Sequence, residues 1–411
     1  METRLADWIR DTDAGREADA ILRSCVHCGF CNATCPTYQL LGDELDGPRG
    51  RIYQIKGVLE GAPATRTTQR HLDRCLTCRA CETTCPSGVQ YGRLLEIGRE
   101  VVDARVARPL GERLARALLR EGVSRRRLFA FGVGLARRLG PLLPARLRAK
   151  LGDRGRTGSA PTTRHARRVI LLTSCSQDAL LPSIDRAAVR VLDRLGVSAI
   201  VEPRAGCCGA LSAHLSDPNG ARAAARRNVD AWWGHVAAGA EALVMTASGC
   251  GVQVKDYGHL LAAEPAYAER AARIAALTRD LSEWLREHGR MPRHDLAAPV
   301  TVAFHAPCTL QHGQKLVGVV EPILEGLGAR LVPVAGAHLC CGSAGSYSLL
   351  QPALASALRD AKLESLTAHA PSVILSANVG CIAHLGAAAR IPVRHWIEWV
   401  EERLHADGRS G

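Results

Sequence analysis

A chain of 411 residues is too long for a single ordinary core and divides into two or three domains. Its composition, 47% apolar and 23% charged with no apolar run of the ~18–20 residues a bilayer crossing needs, excludes a membrane-spanning or disordered protein. The charged start, "METRLADWIRDTDAGREADA", has no signal-peptide core, so the expected compartment is the reducing cytoplasm, where sixteen cysteines point to metal or redox work rather than disulfides.

The first cysteines come in two runs of one pattern. "CVHCGFCNATCP" places Cys25, Cys28, Cys31 and Cys35 in C-x2-C-x2-C-x3-C-P, and "CLTCRACETTCP" repeats it with Cys75, Cys78, Cys81 and Cys85. This is the bacterial ferredoxin spacing for [4Fe–4S] clusters, in which the fourth cysteine of each run crosses to the other cluster. The expected ligand sets are therefore Cys25, Cys28, Cys31 and Cys85 for one cubane, and Cys75, Cys78, Cys81 and Cys35 for the other. Two structural zinc sites are the alternative, and two full copies of an iron–sulfur spacing weigh against it. Between the runs, "RGRIYQIKGVLEG" reads as an amphipathic helix with Ile52, Ile55, Val58 and Leu59 on one face. The domain is thus expected to be a helical two-cluster ferredoxin over residues 1–100. Arg49, Arg51 and Lys56 read either as solvated surface or as charges that raise a cluster's potential.

Residues 101–165 form a basic helical linker. From Arg99 to Arg168 there are 19 Lys or Arg against 5 Asp or Glu, a charge of +14 in a chain whose total is +13. Leu and Ala recur between the arginines at helical spacing, and "GDRGRTGSAPTT" (152–163) marks a boundary. A solvated linker is one reading; docking to anionic lipid or to an acidic partner subunit is the other. No reading motif or aromatic interleaving accompanies the charge, so nucleic acid is not an expected partner.

The remaining cysteines form two sets in register. Cys175, Cys207 and Cys208 lie 133 residues before Cys308, Cys340 and Cys341, and Cys250 lies 131 before Cys381. This is an internal duplication, with repeats expected at 166–295 and 296–411. "RVILLTSC", "VSAIVEPRAGCCG" and "EALVMTASGC" read as strands leading into cysteines, as do "VTVAFHAPC", "ARLVPVAGAHLCCG" and "SVILSANVGC". Helical stretches between them give a parallel α/β domain with its cysteines at the carboxyl ends of strands, the edge where such sheets bind ligands. Gly209 would permit the tight backbone that lets the adjacent sulfurs converge. Vicinal thiolates suit a centre with several irons better than one tetrahedral ion. Each set of four, Cys175, Cys207, Cys208 and Cys250, or Cys308, Cys340, Cys341 and Cys381, is a candidate site for a further iron–sulfur or zinc centre.

These "CCG" triplets, each with an upstream cysteine and a downstream "GC", resemble the cysteine-rich domain of heterodisulfide reductases. Together with "CVHCGFCNATCPTYQLLGDELDGPRGRIYQIKGVLEG", the whole chain is similar to the iron–sulfur subunits of bacterial glycolate oxidases. The resemblance implies flavin-binding partner subunits that oxidise glycolate to glyoxylate, D-lactate as a further substrate, and a quinone acceptor. It also implies a peripheral place on the cytoplasmic side of the inner membrane. The chain departs from the reductase pattern in lacking the final C-x-x-C: Gln253 and His384 stand where the fifth cysteine would be, and His384 is a candidate ligand. No strand is followed by G-x-G-x-x-G, so no flavin or nucleotide site, and no substrate oxidation by this chain alone, is expected. Rival readings are the related subunit of a glycerol-3-phosphate or lactate dehydrogenase, a thiol–disulfide enzyme of the heterodisulfide-reductase kind, and a zinc-stapled scaffold.

Overall fold

The structure is a computed structural model, and it describes residues 1–142, 148, 151, 155, 158, 159, 161–289 and 299–407. Half of the stretch 152–163 therefore lies outside the described residues, and so does the repeat boundary at 295.

The N-terminal domain is helical. Pro48 and the apolar spacing that follows it start and sustain the helix Pro48–Leu59, which buries Ile52, Ile55, Val58 and Leu59 as expected. These pack with Leu22 of the helix Asp13–Ser24 and with Leu94 and Leu95 of the helix Tyr91–Arg105. Each such residue withdrawn from water contributes roughly 1.5–3 kcal/mol. Gly98 is what lets the helices Pro48–Leu59 and Tyr91–Arg105 meet, since a Cβ there would lie 2.6 Å from the Ile55 side chain. The two cysteine runs hang from the ends of these helices as short loops, tied by left-handed residues at His27, Gly29, Thr77 and Arg79.

Residues 167–407 form two four-stranded parallel sheets of the same topology. In the first, β1 (Arg167–Leu172), β2 (Val197–Ile200), β3 (Leu243–Met245) and β4 (Thr278–Asp280) stand in the order β2-β1-β3-β4. In the second, β5 (Val300–His305), β6 (Ala329–Leu331), β7 (Val373–Ser376) and β8 (Val393–His395) stand in the order β6-β5-β7-β8. Strands β1 and β5 correspond residue for residue at the 133-residue offset, and β3 matches the last three residues of β7 at the 131-residue offset. The strands are shorter than the apolar runs suggest. They end at Leu172, Ile200 and Met245, and the chain turns before reaching its cysteine.

The repeats are not independent beads. The helix Ser183–Arg194 lies against the helix Trp396–Asp407, with Val191 and Leu192 in the same apolar cluster as Trp399 and Val400. Arg190 and Glu401 close the seam at 2.7 Å, each largely buried. One continuous core thus holds both thiol sites in a fixed relation.

The basic segment folds as two helices, Leu110–Ser124 and Arg126–Arg138. It is not a free linker. Arg126 pairs with Asp178 at 2.9 Å, Arg120 with Asp217 at 3.4 Å, and Arg137 donates to the carbonyls of Ala179 and Leu180, all on the first repeat. Its outer side exposes Leu114, Leu118 and Phe131. Among the described residues no helix is long and apolar enough to cross a membrane.

Candidate metal centres

The loops of the N-terminal domain interleave around two cavities. One cavity is walled by Cys25, Cys28, Cys31 and Cys85, with Cys81, Arg49 and Tyr91. A second is walled by Cys35, Cys75, Cys78 and Cys81, with Arg51, Arg79 and Tyr91. Cys81 and Tyr91 therefore belong to both walls. The first cavity lies at the surface, where Cys28 is exposed between Val26 and Phe30, themselves largely in solvent. The second is deeper. Burial, with repulsion from neighbouring thiols, pushes Cys31 up to about 11 and Cys78 and Cys81 well above the ordinary thiol range. Thiols converging on each cavity, with Cys31, Cys78 and Cys81 resisting ionisation alone, suit a cationic iron core that binds them as thiolates.

The second cavity carries a charge that helix periodicity conceals. Arg51, read from sequence as surface or tuning charge, is fully buried and paired with the equally buried Asp46 at 3.3 Å. Asp46 also receives His71 at 3.0 Å and Arg74 at 2.7 Å. Arg51 donates to Thr37 Oγ1, which itself lies 3.2 Å from Cys35 Sγ. By contrast Arg49 pairs with Glu44 and Lys56 with Glu60, both within reach of water. Hydrogen bonds reach the sulfurs as well: Thr77 N–H at 3.4 Å and the Tyr91 hydroxyl at 3.6 Å both point at Cys75 Sγ.

In each repeat, loops from three strands bring the four cysteines together. Cys175 opens the helix Cys175–Leu180 after β1, and Cys250 sits in the helix Ser248–Lys255 after β3. Cys207 lies between them: its sulfur accepts from the thiols of Cys175 and then Cys208, which lowers its pKa, and Cys208 in turn bonds Cys250. In the second repeat Cys308 Sγ lies 3.8 Å from Cys340 Sγ, and Cys341 bridges Cys340 to Cys381. The adjacent pairs converge because Gly209 and Gly342 adopt φ of +92° and +85°. A Cβ on Gly342 would stand 2.6 Å from the Ala355 carbonyl oxygen, and one on Gly209 would stand 3.0 Å from that of Ala221.

Two histidines contrast at the second site. His384 is buried, and its Nε2 lies 3.1 Å from the Ala355 carbonyl oxygen. His305, at the end of β5, places a ring nitrogen within 4.8 Å of both Cys341 and Cys381 sulfurs. Nothing in the cysteine spacing marks His305; the one available signal is its position three residues before Cys308, on the strand that leads into the site.

The second site also abuts the ferredoxin domain. Cys78 and Cys308 pack against one buried cluster that contains Leu76, Cys340 and Tyr347. Thr83 Oγ1 meets His312 Nδ1 at 3.0 Å across the same seam.

Comparison with known proteins agrees with this geometry. Residues 21–89 match the 4Fe-4S dicluster domain family, and residues 169–255 and 302–386 each match the cysteine-rich domain family. The chain is 52% identical over 410 residues to the glycolate oxidase iron–sulfur subunit of Escherichia coli K12, covering 99% of this chain and 100% of that protein. The chain belongs to the glycolate oxidase iron–sulfur subunit family. A probable member from Bacillus subtilis 168 is 30% identical over 395 residues, covering 89% of this chain and 88% of its own. Lactate utilization protein A of Geobacillus thermodenitrificans is 27% identical over 223 residues, 53% of this chain and 90% of that one. Members of this family are iron–sulfur electron-transfer subunits of an oxidoreductase complex, and the dicluster and cysteine-rich matches support iron–sulfur clusters in this chain.

Proposed function

We propose that this chain conducts electrons within a glycolate dehydrogenase that also accepts D-lactate, from flavin-binding partner subunits toward a membrane quinone. Cys25, Cys28, Cys31 and Cys85 would hold one [4Fe–4S] cluster, Cys75, Cys78, Cys81 and Cys35 a second, and the two cysteine-rich sites further centres. The observation that carries this reading is the serial arrangement of sulfur sites. Cys81 lines both ferredoxin cavities, and Cys78 shares a buried cluster with Cys308 and Cys340. One-electron chemistry is what such clusters supply when bound. The chain's own residues hold the sites in sequence, leave an exposed cysteine only at the first, and set charge beside them.

The surface position of Cys28 suits the cavity nearest a partner's flavin, with exposed Val26 and Phe30 as contact groups. The exposed leucines and arginines of residues 110–138 suit the face turned to the cytoplasmic leaflet.

Anaerobically purified protein should carry at least about eight irons from the ferredoxin sites. Cys28→Ser and Cys78→Ser should each remove a different cluster signal in electron paramagnetic resonance. Glycolate-dependent dye reduction should appear only when flavin-binding subunits are added. Zinc in these sites with iron near zero, or glycolate oxidation by this chain alone, would overturn the reading.

A further inference from the structure

We propose that the imidazole of His305 is a nitrogen ligand to the centre of the second cysteine-rich repeat, making it a mixed thiolate–imidazole site while the first repeat remains all-thiolate. The inference rests on the reading that the repeats hold iron–sulfur centres.

His305 is 3% exposed. Its Nδ1 lies 2.9 Å from Ser376 Oγ, itself fully buried at the end of β7. A neutral imidazole has one donor nitrogen and one acceptor nitrogen. With Nδ1–H given to the serine, Nε2 keeps its lone pair, and among the described residues that buried atom has no hydrogen-bond partner. A ring nitrogen, Cys341 Sγ and Cys381 Sγ all lie within 4.8 Å of one another. A ring fixed through one nitrogen by a polar neighbour, its other nitrogen without a hydrogen-bond partner and thiols close to the ring, is the usual arrangement of a ligating histidine.

The duplication supplies an internal control. His305 and Ser376 are register partners across β5 and β7, and their equivalents in the first repeat, Leu172 and Met245, are register partners across β1 and β3. Leu172 and Met245 are buried apolar residues in the core of the first repeat. Packing alone would be served by such a pair in both copies. The second copy instead buries an imidazole and the hydroxyl that orients it. Four thiols and an imidazole also exceed the four ligands of a tetrahedral zinc ion, but fit a centre with several irons.

The ligand type has a redox consequence. Imidazole is neutral where thiolate is anionic, so this fifth ligand adds no negative charge, and histidine on iron gives a higher reduction potential than cysteine in the same place. Lys362, buried with its ammonium 2.7 Å from the Gly336 carbonyl, adds positive charge beside the same site. The first repeat has Asn228 at the corresponding place in its helix, bonded to the Cys207 carbonyl at 3.0 Å. The second centre is therefore poised to accept electrons from the adjoining cavity of Cys78.

The test uses full-length protein purified without oxygen, grown with either natural or 15N-labelled histidine. Pulsed electron paramagnetic resonance in the paramagnetic state of each centre should reveal a histidine nitrogen coupling that changes with the label. His305→Gln should abolish it, and His338→Gln should retain it. His305→Cys should lower the midpoint potential of that centre alone. Cys341→Ser separates the two levels of the claim. If that variant loses a centre, but the wild-type centre shows no histidine coupling, the ligand role of His305 is overturned and the iron reading stands. If Cys341→Ser leaves iron content and every signal unchanged, the second repeat holds no iron and the underlying reading falls. The label comparison on wild type needs no variant to fold.

Discussion

Arg51 and Asp46 form an ion pair 3.3 Å long with neither side chain exposed to solvent, and Arg51 lies on the wall of the cavity shared by Cys35, Cys75, Cys78 and Cys81. Breaking a buried pair by removing one partner typically costs ~3–5 kcal/mol, because the other charge stays buried. Asp46 keeps His71 and Arg74, so the lower end of that range is expected here. The cation also favours extra negative charge beside it, which is what a reduced cluster carries. Arg51→Met should therefore lower the midpoint potential of one ferredoxin cluster and leave its neighbour unmoved, while Arg51→Lys should restore most of the difference. A redox titration followed by electron paramagnetic resonance reads both, and equal potentials in all three proteins would show the pair to be structural only.

Gly342 is held at φ +85° and its missing Cβ faces the Ala355 carbonyl at 2.6 Å. A left-handed backbone costs a non-glycine residue ~1–2 kcal/mol, and the contact adds to it. Gly342→Ala should lower stability by at least that amount and reduce iron in the second repeat. Gly209→Ala, whose contact with Ala221 is looser at 3.0 Å, should do less. Thermal unfolding with metal analysis ranks the two; a reversed order would mean the contacts do not set the cost.

Much of this architecture is legible in the amino-acid sequence. The cysteine spacings carry the ferredoxin sites because three thiolates gripping one cluster must lie close along the chain. The 133-residue offset carries the duplication because Cys175 and Cys308 follow equivalent strands. The remaining features leave no local trace, for physical reasons. β4 and β8, "TRD" and "VRH", are three-residue edge strands with no apolar run to announce them. Arg51 reads as a solvent-facing residue because helix periodicity says nothing of a carboxylate five residues upstream that folds back on it. His305 does not stand out because a single histidine has no spacing. The core shared between the repeats, joining Val191 to Val400, is a long-range contact that no local pattern records.

Asp185 gives a pH dependence with a definite sign. It is buried, accepts from Gln177 Nε2 at 2.6 Å and Thr246 Oγ1 at 2.7 Å, and burial pushes its pKa from 3.8 up to about 6. A carboxyl group whose folded pKa is raised binds its proton more tightly in the folded state. Its contribution therefore grows as pH falls from about 6 toward 4, and ionised Asp185 opposes folding above that window. Each tenfold gain in proton affinity is worth about 1.4 kcal/mol, so the whole effect is on the order of 2–3 kcal/mol. Asp185→Asn should be more stable than wild type at pH 8 and lose that advantage toward pH 4. Parallel denaturant unfolding at several pH values checks it, and a constant difference would show that Asp185 does not titrate in this range.

The last prediction concerns the outer side of residues 110–138. Leu114, Leu118 and Phe131 are 61%, 64% and 70% exposed, an unfavourable placement in water for three large apolar groups on paired helices. Exposed Arg113, Arg127 and Arg138 accompany them, whereas Arg126 is engaged by Asp178. Apolar groups and arginines on one helical surface suit a leaflet that offers acyl chains beneath anionic headgroups. Each arginine near such a surface contributes ~1 kcal/mol, acting within a Debye length of ~10 Å at 0.1 M salt. Changing Arg113, Arg127 and Arg138 to Glu should thus release the protein from phosphatidylethanolamine–phosphatidylglycerol vesicles at lower salt than wild type. Leu118→Ser with Phe131→Ser should weaken binding even at low salt, since the apolar contribution is not screened. Co-sedimentation across a salt series separates the two effects. Binding unchanged in both variants would remove the membrane from the proposal and leave this surface to a partner subunit.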